Sequence, residues 1–415
     1  MNDSLGNLSH AKNNDINSKR MKLAAILGSL AAFAPLTIDM YLPALPLIAE
    51  ELSTSQSFVQ LSLTFFLVGL ALGQLWIGPM SDSKGRRKPL LIGLIIYSIA
   101  SILCAFSPTI WIFIFLRFVQ GLSGAAGIVL SRAIVRDLYS GSEMTKFFSL
   151  LALVNGIAPI LAPILGGVIL LFAPWKAVFI ILSFVGLAMF FVVLFYLPES
   201  RPVENRTAGG IVQTAKTFKR LFLDRSFIGN ALSLAFVFTM MFAYISGSSF
   251  VLQNVYEVTP QVYSLIFALN GLGIVIAAQV TGRLAGKFGE LKFLVIGITM
   301  AFLGASILLV MLLFQASLVL ILLPLFIAIS SMGIVSTTGQ SLALQNQGKI
   351  AGSASALIGV LQYVLAGTAA PLTGLGANPA ISMGIVMTLG SIGAILSFLF
   401  IVRATESKTP IVNQQ

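Results

Sequence analysis

The sequence predicts an all-α integral membrane protein: twelve transmembrane helices in two six-helix halves, with both termini in the cytoplasm. Three observations predict it. Only 9% of the 415 residues are charged and 57% are hydrophobic, whereas soluble domains carry about 25% and 45–50%. Apolar runs of the roughly 20 residues that a bilayer requires recur along the whole chain. The basic residues collect in alternate loops between those runs.

The elements follow in order. Residues 1–21 are polar, rich in Asn and Ser, and read as a disordered tail. The next run passes Tyr41, too long for a signal-peptide core, so an uncleaved first span is expected. Twelve spans are predicted over 22–45, 57–80, 88–107, 110–132, 145–172, 175–197, 226–250, 261–284, 291–314, 317–341, 350–373 and 378–402. The N-terminal half is thus 22–197 and the C-terminal half 226–402, joined by a charged loop at 198–225 and followed by a tail at 403–415. Of the 25 Lys and Arg, all but Lys176 and Arg117 fall in the two tails or on one set of alternate loops, Arg132 and Arg136 among them. That asymmetry places both termini inside.

The net charge of +11 does not indicate nucleic acid, because the cations form short runs between apolar stretches rather than one basic face. One His and one Cys cannot build a metal cluster or a disulfide framework. His10 sits in the polar tail, and Cys104 in an apolar run where packing explains it. No Gly-x-x-x-x-Gly-Lys-Ser/Thr loop or Gly-x-Ser-x-Gly elbow occurs. An enzyme and an ATP-driven pump are therefore not expected, nor is any cofactor.

An internal echo supports duplication. Gly78-Pro-Met-Ser-Asp82-Ser-Lys-Gly85-Arg86-Arg87-Lys88 follows the second span, and Gly282-Arg-Leu-Ala-Gly286-Lys-Phe-Gly289 follows the eighth at matching intervals. The glycines suit a tight turn, and Asp82 either caps the next helix or pairs with an Arg.

These residues resemble the loop motif of the major facilitator superfamily, matched at Gly78, Asp82, Gly85, Arg86 and Arg87, with Met80 and Ser83 departing from it. The resemblance implies a conformational latch, assigned mainly to this first copy because Gly286 replaces the acid in the second. Arg117-Phe-Val-Gln120-Gly121 is similar to that superfamily's Arg-x-x-Gln-Gly. Ala158-Pro159-Ile-Leu-Ala162-Pro163-Ile-Leu-Gly166-Gly167 resembles the motif of its drug–proton antiporters, with two Gly replaced by Ala. Thr37-Ile-Asp39-Met-Tyr41-Leu-Pro43, Arg132-Ala-Ile-Val-Arg136-Asp137 and Ala243-Tyr244-Ile-Ser246 resemble the Bcr/CflA family of bacterial drug exporters. That likeness implies proton-coupled efflux of small molecules, phenicol- or bicyclomycin-type antibiotics among them, from a monomer in the bacterial inner membrane. Export of a native metabolite is the alternative, and a non-transporting receptor a distant third.

Asp39 is the one acid well inside a span, and an intramembrane charge is a functional candidate because it costs several kcal/mol. Arg117 lies at a similar depth and is its expected partner. Burial favours a neutral carboxyl and a guanidinium favours a charged one, so the two would form a proton switch. Pro159, Pro163, Gly166 and Gly167 suit either a hinge or close packing. Tyr41, Gln120, Asn155, Phe238, Met241, Phe242 and Tyr244 are the candidates for lining a substrate path.

Overall fold

The computed structural model describes residues 21–206, 211–347 and 350–403; the expected tails, His10 included, lie outside these. Twelve helices are long and apolar enough to cross a membrane. In the N-terminal half they are α1 Met21–Glu51, α2 Gln56–Lys84, α3 Arg87–Ala105, α4 Ile110–Leu138, α5 Gly141–Phe172 and α6 Lys176–Tyr196. In the other half they are α7 Arg225–Phe250, α8 Pro260–Phe288, α9 Glu290–Leu313, α10 Leu318–Leu344, α11 Ala351–Leu372 and α12 Pro379–Ser397. The charged loop between the halves carries a further helix, Ile211–Leu223, which the sequence reading left as loop.

Helix ends follow local chemistry. The Thr109, Asp224, Thr259 and Asn378 side chains each accept an orphan backbone N–H at the first turn of α4, α7, α8 and α12. Gly85 and Gly289, 204 positions apart (289 − 85), both take positive φ, +87° and +96°, and turn the chain into α3 and α9. The echo in sequence is thus the same turn built twice.

Two expectations are corrected. The loop motif does not begin after the second span: Gly78, Pro79 and Asp82 lie within α2, and only Gly85 makes the turn. The fourth span does not end at Arg132. α4 runs 29 residues, about 43 Å at 1.5 Å per residue, so its last two turns extend beyond the ~30 Å that lipid requires.

Without water between them, helices pack by close approach of small residues. A Cβ on Gly121 of α4 would lie 2.1 Å from the Phe66 carbonyl oxygen of α2, and one on Gly69 of α2 2.2 Å from that of Phe118. The C-terminal half repeats this pair: a Cβ on Gly333 of α10 would lie 2.1 Å from the Ile274 oxygen of α8.

α1 is not one continuous helix. An α-helical stretch ends at Asp39, Met40 and Tyr41 form a turn, and a 3₁₀ turn Leu42–Ala44 precedes a last helical stretch, Leu45–Glu51. Pro43 and Pro46 cause the break, because each removes the N–H that the carbonyl four residues earlier would accept. The Leu42 carbonyl then takes a 3₁₀ bond from Leu45 and the hydroxyl of Ser249 in α7.

Gly121→Val should cost about 1–3 kcal/mol by overpacking α2 against α4, whereas Gly282→Ala, whose Cβ meets nothing within 4 Å, should be neutral. Thermal melting of the purified protein in detergent checks both.

Candidate functional site

A cavity of about 320 Å³ lies between the halves. Its walls are mainly apolar, with Phe238, Met241 and Phe242 of α7, Phe267 of α8 and Met332 of α10 among them. The Phe238 and Phe242 rings stack at 5.9 Å, and Phe238 meets the Tyr363 ring of α11 edge-on at 6.0 Å. Asn155, Tyr244, Ser336 and Tyr363 supply neutral polar groups to the lining; among the described residues its only charged ones are Asp39 and Arg132.

One end of the cavity is closed by hydrogen bonds between the halves. Ser249 Oγ donates to the Leu42 carbonyl at 2.6 Å, and Gln253 Nε2 to that of Pro43 at 3.1 Å. Gln60 Nε2 donates to the Ser246 carbonyl at 3.0 Å, Thr64 Oγ1 to that of Gly367 at 2.7 Å, and Gln261 Nε2 to that of Gly167 at 3.0 Å. All five lie toward the ends of α1, α5, α7 and α11 and the starts of α2 and α8, opposite the loops that hold Gly85 and Gly289.

Asp39 is 4% exposed and faces this cavity close to the seal. Arg117 is fully buried, but the two are not brought together: no ion pair joins them among the described residues. Tyr41, two residues along α1, points about 200° away from Asp39 and covers the guanidinium instead. The Arg117 Cζ lies 4.3 Å from the Tyr41 ring centroid, 4.5 Å from that of Phe66 and 5.8 Å from that of Phe179. Its Nη1 donates to Gln120 Oε1, and Gln120 Nε2 donates to Ser101 Oγ at 2.7 Å. Nε and Nη2 have no hydrogen-bond partner. Aromatic faces therefore hold this cation where no carboxylate does, at about 2 kcal/mol or more for a desolvated pair.

A Cβ on Gly127 of α4 would lie 2.7 Å from the Leu30 oxygen of α1. Counting from that contact, Arg117 and Asp39 both sit about 14–15 Å toward the sealed end. They share a level, and α1 stands between them.

Of the expected path residues, Asn155, Phe238, Met241, Phe242 and Tyr244 line the cavity. Tyr41 and Gln120 do not: both are buried in the N-terminal half, committed to the Arg117 cage. Arg132, read as a loop residue, instead lines the cavity.

The antiporter-like motif meets both halves. Pro159 borders the cavity, and α5 carries it and Pro163 within one helix. A Cβ on Gly166 would lie 1.9 Å from the Met40 oxygen at the break in α1, and one on Gly167 2.6 Å from Ser264 Oγ of α8. Only glycine lets α5 approach so closely on both sides.

The loop motif forms a charge cluster within the N-terminal half and the residues that follow α6. Arg86 Nε pairs with Asp137 at 2.8 Å and Arg86 Nη1 with Asp82 at 2.8 Å; Arg201 reaches Asp82 at 3.2 Å. Glu199 accepts the backbone N–H groups of Arg86 and Arg87 at 2.8 and 3.2 Å. Asp82 thus pairs with Arg rather than capping α3. Burial works against the Arg86 charge, but Asp137 and Asp82 more than offset it and raise its pKa above the ordinary value. No ion pair joins the second copy among the described residues, and a Cβ at Gly282, Gly286 or Gly289 meets nothing within 4 Å.

Asp137→Asn should destabilise the N-terminal half by about 1.5–3 kcal/mol, the usual loss for a hydrogen bond to a charged group. Asp82→Asn should cost less, because the Asp82 side chain is 37% exposed against 16% for Asp137. Melting temperatures of the two variants test the order.

Comparison with known proteins agrees with this architecture. The family model of the Major Facilitator Superfamily matches residues 27–371. The chain is 42% identical over 387 residues, 93% of its length and 96% of the relative's, to the Uncharacterized MFS-type transporter YdgK of Bacillus subtilis. It is 31% identical over 339 residues, 82% and 85% of the two lengths, to the Bicyclomycin resistance protein homolog of Haemophilus influenzae. Among solved structures it superposes on the nucleoside transporter NupG with a TM-score of 0.74 at 14% identity, covering 92% of this chain and 98% of the other. A D-xylose–proton symporter superposes with a TM-score of 0.71 at 17% identity, covering 92% and 97%. Identities that low establish a shared fold. Model, relatives and fold agree, and the chain is a multi-pass membrane protein belonging to the Major Facilitator Superfamily.

Proposed function

We propose that this transporter exports drug-like amphipathic small molecules in exchange for protons, by alternating access, in the bacterial inner membrane. One observation carries the reading: the only acid lining the apolar cavity is Asp39, a carboxylate held at membrane depth. A volume of about 320 Å³ suits a compact drug, at the lower end of the ~300–1,000 Å³ typical of ligand pockets. The bicyclomycin resistance homolog among its relatives supports the substrate class.

With both termini in the cytoplasm, the five inter-half hydrogen bonds seal the outer face and the cavity belongs to the inward-facing form. In this form Asp39 faces the cavity and can release a proton to the cytoplasm while substrate enters. Arg117 waits behind α1 at the same level, caged by rings and without a counter-ion. Rotating the inner part of α1, which ends at Asp39, about the Met40–Tyr41 turn would exchange what Asp39 faces and bring it toward Arg117. Substrate and proton then favour opposite forms, and that difference in affinity is what couples them.

The test uses energised everted vesicles with a fluorescent probe of the pH gradient, comparing wild type with Asp39→Asn. Chloramphenicol or bicyclomycin should discharge the gradient in wild type and at least tenfold less in the variant. Equal discharge by both proteins would remove Asp39 from the coupling scheme.

A further inference from the structure

The function proposed above leaves one charged cavity residue without a role. Arg132 is exposed, yet it sits in the cavity wall rather than in a loop. No ion pair engages it among the described residues, and it interacts electrostatically with Tyr363 across the interface between the halves. α4 places it there by helical geometry: Ile128, one turn earlier, lines the same wall.

Its distance from the proton site matters. From the Gly127–Leu30 contact, Asp39 lies nine residues toward the seal and Arg132 five residues the other way, roughly 20 Å apart along the helices. The two residues line opposite ends of the same cavity. The two charges therefore do separate work, with Asp39 at the closed end and Arg132 at the other.

The charge balance of the wall then limits what fits. With Asp39 protonated, the lining carries a net positive charge from Arg132 alone. With Asp39 ionised, the lining sums to zero, and its cation is the group remote from the seal. In neither state is the wall net negative. A lipophilic cation gains nothing there and is repelled by a guanidinium that no ion pair neutralises among the described residues. A neutral or anionic molecule with a planar acceptor gains charge-assisted hydrogen bonds from the guanidinium fork. The stacked Phe238 and Phe242 rings supply an apolar surface for the rest of the molecule.

We propose that Arg132 is the specificity-determining residue of the cavity, selecting neutral or anionic amphipaths that bear a hydrogen-bond-accepting nitro, carbonyl or carboxylate group and rejecting lipophilic cations. The inference rests on the export reading for the role of the cavity, but binding tests it without any gradient.

The experiment measures equilibrium binding of chloramphenicol, neutral with nitro and carbonyl acceptors, and of ethidium, a lipophilic cation. Purified wild type, Arg132→Gln and Arg132→Lys are compared in nanodiscs at one pH. Wild type should bind chloramphenicol at least tenfold tighter than ethidium. Arg132→Gln should weaken chloramphenicol by roughly tenfold to a hundredfold, the equivalent of one charged hydrogen bond, and should tighten ethidium. Arg132→Lys, which keeps the charge but loses the fork, should fall between for chloramphenicol and still exclude ethidium. A wild type that prefers ethidium or binds neither compound overturns the proposal, as does an Arg132→Gln protein with an unchanged ratio. Vesicle gradients then separate the two ideas. Chloramphenicol-driven proton exchange with no charge preference in binding would leave the export reading standing alone. Charge-selective binding without proton exchange would leave Arg132 its role and remove the antiport.

Discussion

Five consecutive residues of α1 tie the parts of this transporter together. Asp39 faces the cavity, and the Met40 carbonyl lies in the cleft that Gly166 leaves in α5. Tyr41 covers the Arg117 guanidinium, while the Leu42 and Pro43 carbonyls accept the hydrogen bonds of Ser249 and Gln253 from the other half. Within lipid every one of these polar groups needs a partner inside the protein. Moving any of the five therefore disturbs contacts to the cavity, to α5, to the cation cage and to the seal together. Pro43 and Pro46 make the arrangement possible, because an unbroken α-helix would turn the Leu42 carbonyl along its own axis.

The unpaired guanidinium gives this segment a direction in which to move. A buried charge without a counter-ion is unfavourable, and three aromatic faces with one amide offset only part of that. Approach of an ionised Asp39 would offset more. Protonation of Asp39 removes that attraction, so the proton and the position of α1 are linked even though the two side chains are apart in this form. The close approach of α5 at Gly166 and Gly167 carries the same segment to α8.

Much of this was legible in the sequence, and the failures share a cause. The spans, the repeated turn and Asp39 follow from patterns that lipid enforces along one chain. The depth of Arg117 followed too, since depth is a count of residues from a loop. What a count does not give is the face presented to a neighbour. Tyr41 and Gln120 have side chains suited to a substrate path, yet Tyr41 turns away from Asp39 and Gln120 shares the face of Arg117, so both belong to the cation cage. Arg132 was misplaced because a positive charge after an apolar run reads as a loop. The run ended there, but the helix continued to Leu138. The helix at Ile211–Leu223 escaped because it is too short to span a bilayer and Lys216, Lys219 and Arg220 interrupt its apolar residues.

The separation of Asp39 from Arg132 bears on how coupling works. If substrate and proton competed for one carboxylate, the site would favour cations, whose charge mimics the proton they displace. Asp39 and Arg132 line opposite ends of the cavity, roughly 20 Å apart along α1 and α4, so the proposed proton and cargo sites are separate. A molecule held at Arg132 can influence Asp39 only by favouring one arrangement of the halves over the other. Under the proposed exchange the closed end of the cavity would respond to the proton and the opposite end to the acceptor group of the cargo. Such a division would let one proton site serve chemically varied substrates, because Asp39 would not have to recognise them.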